Sequence, residues 1–339
     1  MESFMNNKIL YEKLFNACKN ENIEAVKFLL KNGLDVNHKD KNGKTALFYA
    51  CNNLNVIKLL IENGADKDSI KELFFYSYEN NLEIFKYLIE EKKIDINIKN
   101  DSGKTVLFYA CANDNLELVK YLVEHGADVN AKDKDGISVI LNTLIESIGH
   151  PISLSTLKPK GENLEIVKCL VEHGAYIDDD ILFVACHTGE LELVKYLIEE
   201  KKLDINVKEK GGDTLLFRAC GSGNLELVKY LVEEKKLDIN AVNEYGQTAL
   251  FDACEKGNIE IVKYLIKNGA NINSKNKKGQ TALFDCFYAG GNIELVKYLI
   301  SKGIDINVKD SEGKNELWYA KNIKNKQIID YLKSIGIKE

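Results

Sequence analysis

The stretch Tyr245–Asn273, YGQTALFDACEKGNIEIVKYLIKNGANIN, is one copy of a pattern that recurs along this 339-residue chain. A copy opens with Gly-Lys/Gln-Thr, continues through Leu-Phe-x-Ala-Cys and Asn-Ile/Leu-Glu-Ile/Leu-Val-Lys-Tyr-Leu, and closes with Ile/Val-Asn. The closing residues Asn97 and Asn130 lie 33 residues apart, and Asn206 and Asn240 lie 34 residues apart. A fixed period of this length is typical of proteins built from stacked repeats.

The period divides the chain into ten copies, and none of them is long enough to bury its apolar residues alone. Stacked neighbours have to bury them, so we predict a single all-α solenoid that occupies residues 1–339. The fifth copy differs from the others because an insertion at 146–161 delays its second helix by about 15 residues. The copies cover approximately 8–40, 41–69, 70–99, 100–133, 134–178, 179–208, 209–242, 243–275, 276–309 and 310–339.

Within a copy, the pattern predicts two short helices. Thr248 is placed to begin the first helix, where its hydroxyl can accept a backbone N–H, and Asn258 is placed to begin the second. The second helix carries a wide apolar stripe at helical spacing. Gly269 can take the left-handed conformation that ends a helix, and the polar run up to Gly279 suits a turn or hairpin.

Two segments of this copy resemble a known family. Residues 246–251, GQTALF, resemble the G-x-T-P-L-H opening of ankyrin repeats, and residues 269–273, GANIN, resemble their G-A-D-V-N ending. The resemblance covers about residues 8–338, with Ala, Val or Leu in place of proline and Phe in place of histidine. It implies helix-turn-helix units joined by β-hairpin-like loops, and it suggests Asn130 and Asn240 as positions for asparagine hydroxylation.

Composition limits the classes of function. The net charge is −6, and because lysines and acidic residues alternate without a basic stripe, we do not expect a nucleic-acid partner. The first residues do not resemble a signal peptide, and no apolar run reaches membrane-spanning length, so we expect a cytoplasmic protein without a membrane partner. Export as an effector stays open, and we expect a monomer. Six of the eight cysteines occupy one repeat position, which indicates reduced packing residues rather than disulfides.

A search for reactive groups finds no recognisable constellation. The chain lacks a phosphate-binding loop, a dinucleotide-binding glycine motif and a nucleophile elbow. Cys169 and His173, four residues apart on a predicted helix, have no second pair that would complete a zinc site. We therefore predict a protein that is not an enzyme and has no catalytic residue, cofactor or metal.

Positions that vary between copies are the best candidates for binding. The residue two after the motif leucine changes from copy to copy, so we do not expect it to belong to the core. In ankyrin-like folds it would lie on the concave face, although its aromatic members could simply cover neighbouring helices. Tyr and Arg are common at interface hot spots. The candidates in this series are Tyr49, Phe75, Tyr109, Arg218, Asp252, Asp285 and Tyr319, alongside Asn16 and Val184.

Two further candidates lie outside the series. Tyr245 is a large ring at a predicted hairpin tip, and His150 lies in the 146–161 insertion with both prolines of the chain. We predict a protein-binding adaptor that uses the concave face. The alternatives are an inhibitor or effector that binds one partner protein through the insertion, and a structural spacer.

Overall fold

The computed structural model describes residues 2–50, 52–76, 82–145, 163–288 and 290–338, with side chains from residue 8 onward except that of Tyr76. In this part of the chain there are twenty α-helices and no β-strand, and an isolated antiparallel bridge joins Lys132 to Ser138. The all-α prediction is confirmed. The insertion at 146–161, including His150, lies outside the described residues.

The chain forms two compact units, the first made of residues 1–143 and 165–176. Its first copy begins earlier than predicted, because the opening helix already starts at Glu2. The helices of copies one to five are α1 Glu2–Lys19, α2 Ile23–Lys31, α3 Ala46–Tyr49, α4 Leu54–Glu62, α5 Lys67–Tyr76, α6 Leu82–Lys86, α7 Val106–Ala112, α8 Leu116–Glu124, α9 Val139–Leu144 and α10 Leu164–Glu172, of which α9 and α10 each have one end residue in the other unit.

The second unit comprises residues 144–164 and 177–339. The helices of copies six to ten are α11 Asp179–Thr188, α12 Leu191–Lys195, α13 Leu215–Ser222, α14 Leu225–Lys229, α15 Ala249–Glu255, α16 Ile259–Lys267, α17 Ala282–Asp285, α18 Ile293–Ser301, α19 Glu316–Asn322 and α20 Lys326–Ser334. Within this unit the first helices of the copies pack side by side in the order α11, α13, α15, α17, α19. The first unit repeats this arrangement with α1, α3, α5 and α7.

The core consists of the residues that define the repeat. The motif phenylalanines of copies four, seven, eight and nine are at most 1 % exposed: Phe108, Phe217, Phe251 and Phe284. Burial of such a ring stabilises the fold by roughly 1.5–3 kcal/mol, which accounts for its use where the ankyrin pattern has histidine. The seven described cysteines are all buried, and none of them forms a disulfide.

The three copies that end in Glu-Glu-Lys-Lys contain one extra residue there, and the second helix accommodates it. In each of them the helix continues as a π-helical turn, at Tyr87–Glu91, Tyr196–Glu200 and Tyr230–Glu234. A single π-helical turn is how a helix absorbs one inserted residue. Lys202, with φ 61°, then takes the left-handed position that glycine holds in other copies. These turns also present glutamates to the next copy, where Tyr264 Oη donates to Glu233 Oε1 at 2.9 Å.

Helix capping follows the sequence in part. The asparagine before the second helix accepts backbone N–H groups in several copies, as Asn292 does from Glu294 and Leu295. Asn258 begins its helix as predicted but makes no capping bond; its Nδ2 donates instead to Cys220 O of the preceding copy at 2.9 Å. The prediction for Thr248 was wrong in the same respect, since its hydroxyl makes no capping bond. This side chain is 2 % exposed and packs into the core.

In several copies the closing asparagine joins its copy to the next. Asn130 Nδ2 donates to Gly174 O at 2.9 Å, and its Oδ1 accepts the Tyr176 N–H at 2.7 Å. Asn240 makes the same pair of bonds to Gly269 and Asn271. Both ends of the amide are therefore used in stacking at the two positions where the family resemblance suggested hydroxylation.

Candidate functional site

The first helices and the turns before them form one face in each unit, which we call the first-helix face. The varying position two residues after the motif leucine lies on it, and in the first unit this position carries rings that contact their neighbours. Tyr49 lies 5.3 Å from Phe15, and Tyr109 lies 6.1 Å from Phe75, measured between ring centroids. These rings cover adjacent first helices, which was the alternative interpretation of the aromatic residues.

The polar ends of these side chains are bonded within their own copies. Tyr49 Oη donates to Asp40 Oδ2 at 2.6 Å, and Asn100 Nδ2 donates to Tyr109 Oη at 2.7 Å. In both pairs the partner stands nine residues earlier, at the start of the turn. This bond fixes the turn against the first helix.

The second unit repeats this nine-residue bond with different chemistry. Arg218 Nε donates to Glu209 Oε2 at 2.7 Å, and the same guanidinium lies 3.2 Å from Asp213 Oδ2. Tyr319 Oη donates to Asp310 Oδ2 at 2.7 Å. The sequence predicts that the varying position lies on the surface, but it does not predict this nine-residue bond. The two partners are too far apart along the chain to form a helical i,i+4 pair.

The expectation that this position lies outside the core was wrong at three sites. Phe75 is 7 % exposed, and Val184 and Asp285 are 3 % exposed. The helices that carry Phe75 and Asp285 pack between two first helices, and α11, which carries Val184, packs on α13. Arg218, Asp252 and Tyr319 are half-buried. Asn16 is exposed.

Residues of the Gly-Lys/Gln-Thr opening complete the network and were missed by the sequence reasoning. Lys104 Nζ donates to Asn142 Oδ1 at 3.0 Å, and Gln247 Nε2 donates to Asp285 Oδ2 at 3.3 Å, in each case 38 residues ahead. Gln280 Nε2 donates in the same way to Tyr319 Oη at 2.9 Å. The available signal was the preference of this motif position for Lys or Gln, which copy seven replaces with Asp213; Lys and Gln both have a long side chain with a terminal donor.

A pocket of about 310 Å³ opens on the first-helix face between copies eight and nine. It brings together two of the predicted residues, Tyr245 and Asp285. Tyr245 and Tyr288 are each 60 % exposed and stand at the pocket, while the Asp285 carboxyl is buried in its lining. The remaining lining residues are Gln247, Glu255, Asn276, Lys277, Lys278 and Gln280.

The carboxyl groups here have unusual proton affinities. Burial, with the nearby charges of Glu255 and Asp252, raises the pKa of Asp285 to about 8. Burial, with the charge of Asp213, raises the pKa of Asp252 to about 7. Near neutral pH the Asp285 carboxyl in the pocket lining therefore holds a proton, which it would lose when a cation binds.

The described residues contain no group of three or more His, Cys, Asp or Glu side chains arranged to hold a metal. Cys169 and His173 meet through the histidine ring, whose Nδ1 lies 2.8 Å from Cys169 O. The histidine ring therefore contacts the backbone carbonyl of Cys169, and the Cys169 thiol is not part of this contact. Across the part of the chain that the structure describes, no helix combines the length and the apolar character needed to cross a membrane.

Comparison with known proteins identifies the repeat. The family profile described as ankyrin repeats (3 copies) matches residues 6–71, 73–136, 157–243, 182–276, 235–310 and 268–338. The chain is 33 % identical over 131 residues to alpha-latrotoxin-Lg1a of Latrodectus geometricus, a match that covers 35 % of this chain and 10 % of the toxin.

Viral proteins show a similar likeness. An ankyrin repeat protein of Fowlpox virus (strain NVSL) is 29 % identical over 136 residues, which covers 38 % of this chain and 22 % of the viral protein. One from Acanthamoeba polyphaga mimivirus is 35 % identical over 104 residues, covering 28 % of this chain and 14 % of that protein. The chain thus matches less than a quarter of the length of each of these relatives.

Proposed function

Because this chain belongs to the ankyrin-repeat family, we propose that it is a non-catalytic adaptor that binds a protein partner through the first-helix face. Ankyrin repeats are in general protein-interaction modules. We propose further that it binds this partner as a monomer and in the cytoplasm. The buried cysteines, none of which forms a disulfide in the described structure, support a reducing compartment.

The observation that carries the proposal is the contrast between two faces of the same repeats. The second helices present a nearly constant Glu–Lys ion pair at i,i+3, as in Glu192–Lys195, Glu226–Lys229 and Glu260–Lys263. Exposed pairs of this kind contribute little to stability and carry no information that differs between copies. On the first-helix face, the position two after the motif leucine instead carries Asn, Tyr, Phe, Val, Arg or Asp, depending on the copy, and recognition of one partner requires variation of this kind.

The test compares one exposed ring on each face. Tyr245 is 60 % exposed on the first-helix face, and Phe28 is 67 % exposed on the second helix α2. We expect Tyr245→Ala to weaken capture of a protein from a lysate of the native host, while Phe28→Ala leaves the same capture unchanged. Both variants should keep the melting temperature because neither ring is buried. Equal capture by Tyr245→Ala and the unaltered chain would argue against this face.

A second candidate function, that of an effector directed at one protein, rests on the insertion at 146–161. The supporting observation is its position inside a copy that is otherwise regular, since insertions in repeat proteins often lie on the binding face. Deletion of 146–161 tests it, because an effector of this kind would lose its partner together with the insertion.

A further inference from the structure

We propose that the pocket between copies eight and nine takes an arginine or lysine side chain of the protein partner. This inference rests on the proposed function and names the chemistry that the first-helix face would recognise. The cation would lie against the Asp285 carboxylate, with the rings of Tyr245 and Tyr288 beside it. Nothing else about the partner follows from the pocket.

The Asp285 carboxylate is buried, yet it has hydrogen-bonding capacity to spare. It is 3 % exposed and belongs to the pocket lining. Among the described residues, its one hydrogen bond comes from Gln247 Nε2 to Oδ2, at a rather long 3.3 Å. A carboxylate can accept about four hydrogen bonds, so Oδ1 and part of Oδ2 are available to a donor that enters from solvent. Arginine and lysine are the protein side chains that donate several hydrogen bonds and carry positive charge.

The two tyrosines supply the apolar part of the site. Each ring is 60 % exposed, which is unusual for a side chain of this size. Both rings are therefore accessible to a ligand at the opening of the pocket. A guanidinium or ammonium group within about 6 Å of such a ring is attracted to it by the cation–π interaction. The volume of about 310 Å³ lies at the small end of ligand pockets, so it suits one long side chain and not a folded segment.

The charges around Asp285 favour a cation over an anion. From α15 it faces Asp252 and Glu255, and from the preceding turn it faces Lys278; Tyr288 follows it in the chain. Lys277 and Lys278 are exposed at the rim, whereas Asp285 is fixed and buried. Electrostatic interactions are stronger in the less polarisable interior than at the surface. An anion drawn in by the rim lysines would meet three carboxyl groups, while a cation would relieve their mutual repulsion.

Binding of a cation should therefore be linked to a proton. Without a ligand, burial and the neighbouring carboxylates raise the pKa of Asp285 to about 8, so the group is protonated at neutral pH. A cation binds the ionised form and displaces that proton. The ionised fraction grows roughly 20-fold between pH 6.5 and pH 8.5, and the apparent affinity should grow by a similar factor. Arginine and lysine stay charged throughout this range.

The experiment uses the full chain and a defined probe, the acetylated and amidated pentapeptide Gly-Gly-Arg-Gly-Gly. Its control is the same peptide with citrulline, which has nearly the shape of arginine but no charge. Ring signals of ¹³C-labelled tyrosine are followed up to about 10 mM peptide, well above a millimolar Kd. Tyr245→Phe and Tyr288→Phe assign the two signals. We expect the arginine peptide to shift both rings, more strongly at pH 8.5 than at pH 6.5, and the citrulline peptide to shift neither.

Two variants separate the charge of the pocket from its shape. Asp285→Asn keeps the side-chain volume and can still accept from Gln247, so it should abolish both the preference for arginine and its pH dependence. Glu260→Gln, an exposed carboxyl on the second helix of copy eight, should change neither. Equal shifts with citrulline, no shift with either peptide, or an unchanged preference in Asp285→Asn would each overturn the inference. Lysate capture that still depends on Tyr245 would then leave the proposed function intact.

Discussion

Lysine at the left-handed end of a second helix is a local weakness that can be corrected. Lys202 has φ 61°, where a side chain with a Cβ is strained and glycine is not. We expect Lys202→Gly to raise the free energy of unfolding by about 0.5–1 kcal/mol. Urea denaturation measures the change. The adjacent Lys201, with φ −89°, is the matched control: Lys201→Gly should lower stability, and a gain in both variants would contradict the explanation.

A second residue, Glu316, lowers the stability of the fold because its carboxyl group is buried. Glu316 in the last copy is fully buried, and within the described structure neither of its carboxyl oxygens accepts a hydrogen bond from another residue. Burial raises its pKa from 4.5 to about 8. Ala249 and Ala282 occupy the same repeat position in copies eight and nine, so the fold does not need a carboxyl there.

The pH dependence that follows has a definite sign. Between pH 4.5 and pH 8 the folded chain keeps the Glu316 proton that the unfolded chain loses, so stability falls as the pH rises through this range. We expect Glu316→Ala to stabilise the chain by roughly 1–3 kcal/mol at neutral pH, less at pH 5. Melting temperatures from pH 5 to pH 8 test this. The gain should grow with pH; a constant difference would point to packing rather than charge.

At the scale of the helix, the two polar residues that begin the helices of one copy have unequal effects. Asn292 accepts the N–H groups of Glu294 and Leu295, whereas the buried Thr281 hydroxyl has no hydrogen-bond partner in the described structure. We expect Asn292→Ala to cost about 1 kcal/mol of unfolding free energy. Thr281→Val, which keeps the shape and removes an unpaired hydroxyl, should be neutral or slightly stabilising. Chemical denaturation of both variants measures the two changes. A large loss of unfolding free energy in Thr281→Val would show that the Thr281 hydroxyl stabilises the fold.

The helices themselves were largely predictable from sequence. Asparagine before and glycine after most second helices mark their ends, because these residues satisfy terminal backbone groups or tolerate a left-handed backbone. The π-helical turn at Tyr196–Glu200 was not predictable, since one inserted residue can lengthen either a loop or a helix. The choice depends on packing: Tyr196 and Leu197 in this turn remain buried in register with the core.

The bonds along the first-helix face were less predictable than the helices. Gln247 reaches Asp285 across 38 residues, and Arg218 reaches Glu209 across nine. The separation of 38 residues arises because neighbouring copies stack, and the separation of nine arises because each turn folds back onto its first helix. No local sequence pattern indicates either bond. Variation between copies located the face but did not separate the accessible Tyr245 from the buried Phe75.

At the scale of the whole molecule, the open question is whether binding depends on the repeats or on the insertion. That the ten copies form a single domain stays a prediction, as does the binding role of each candidate side chain, including His150. The repeats supply a varied face with one pocket, and the insertion supplies 16 residues that follow no repeat pattern. The two sources of specificity can be removed independently of each other.

Deletion of 146–161 should leave the melting temperature nearly unchanged, because a loop of this length alters closure entropy by only about 1 kcal/mol. We expect the deleted chain to capture the same partner as the intact chain, and Tyr245→Ala to lose it, because the pocket and its varied surroundings lie in copies that the deletion does not touch. Parallel capture from one lysate with the intact chain, the deletion and Phe28→Ala makes the comparison. A partner lost with the insertion but kept by Tyr245→Ala would assign recognition to the insertion and make the chain a dedicated effector. A partner that both variants still capture would argue against the insertion and against the first-helix face as the source of recognition.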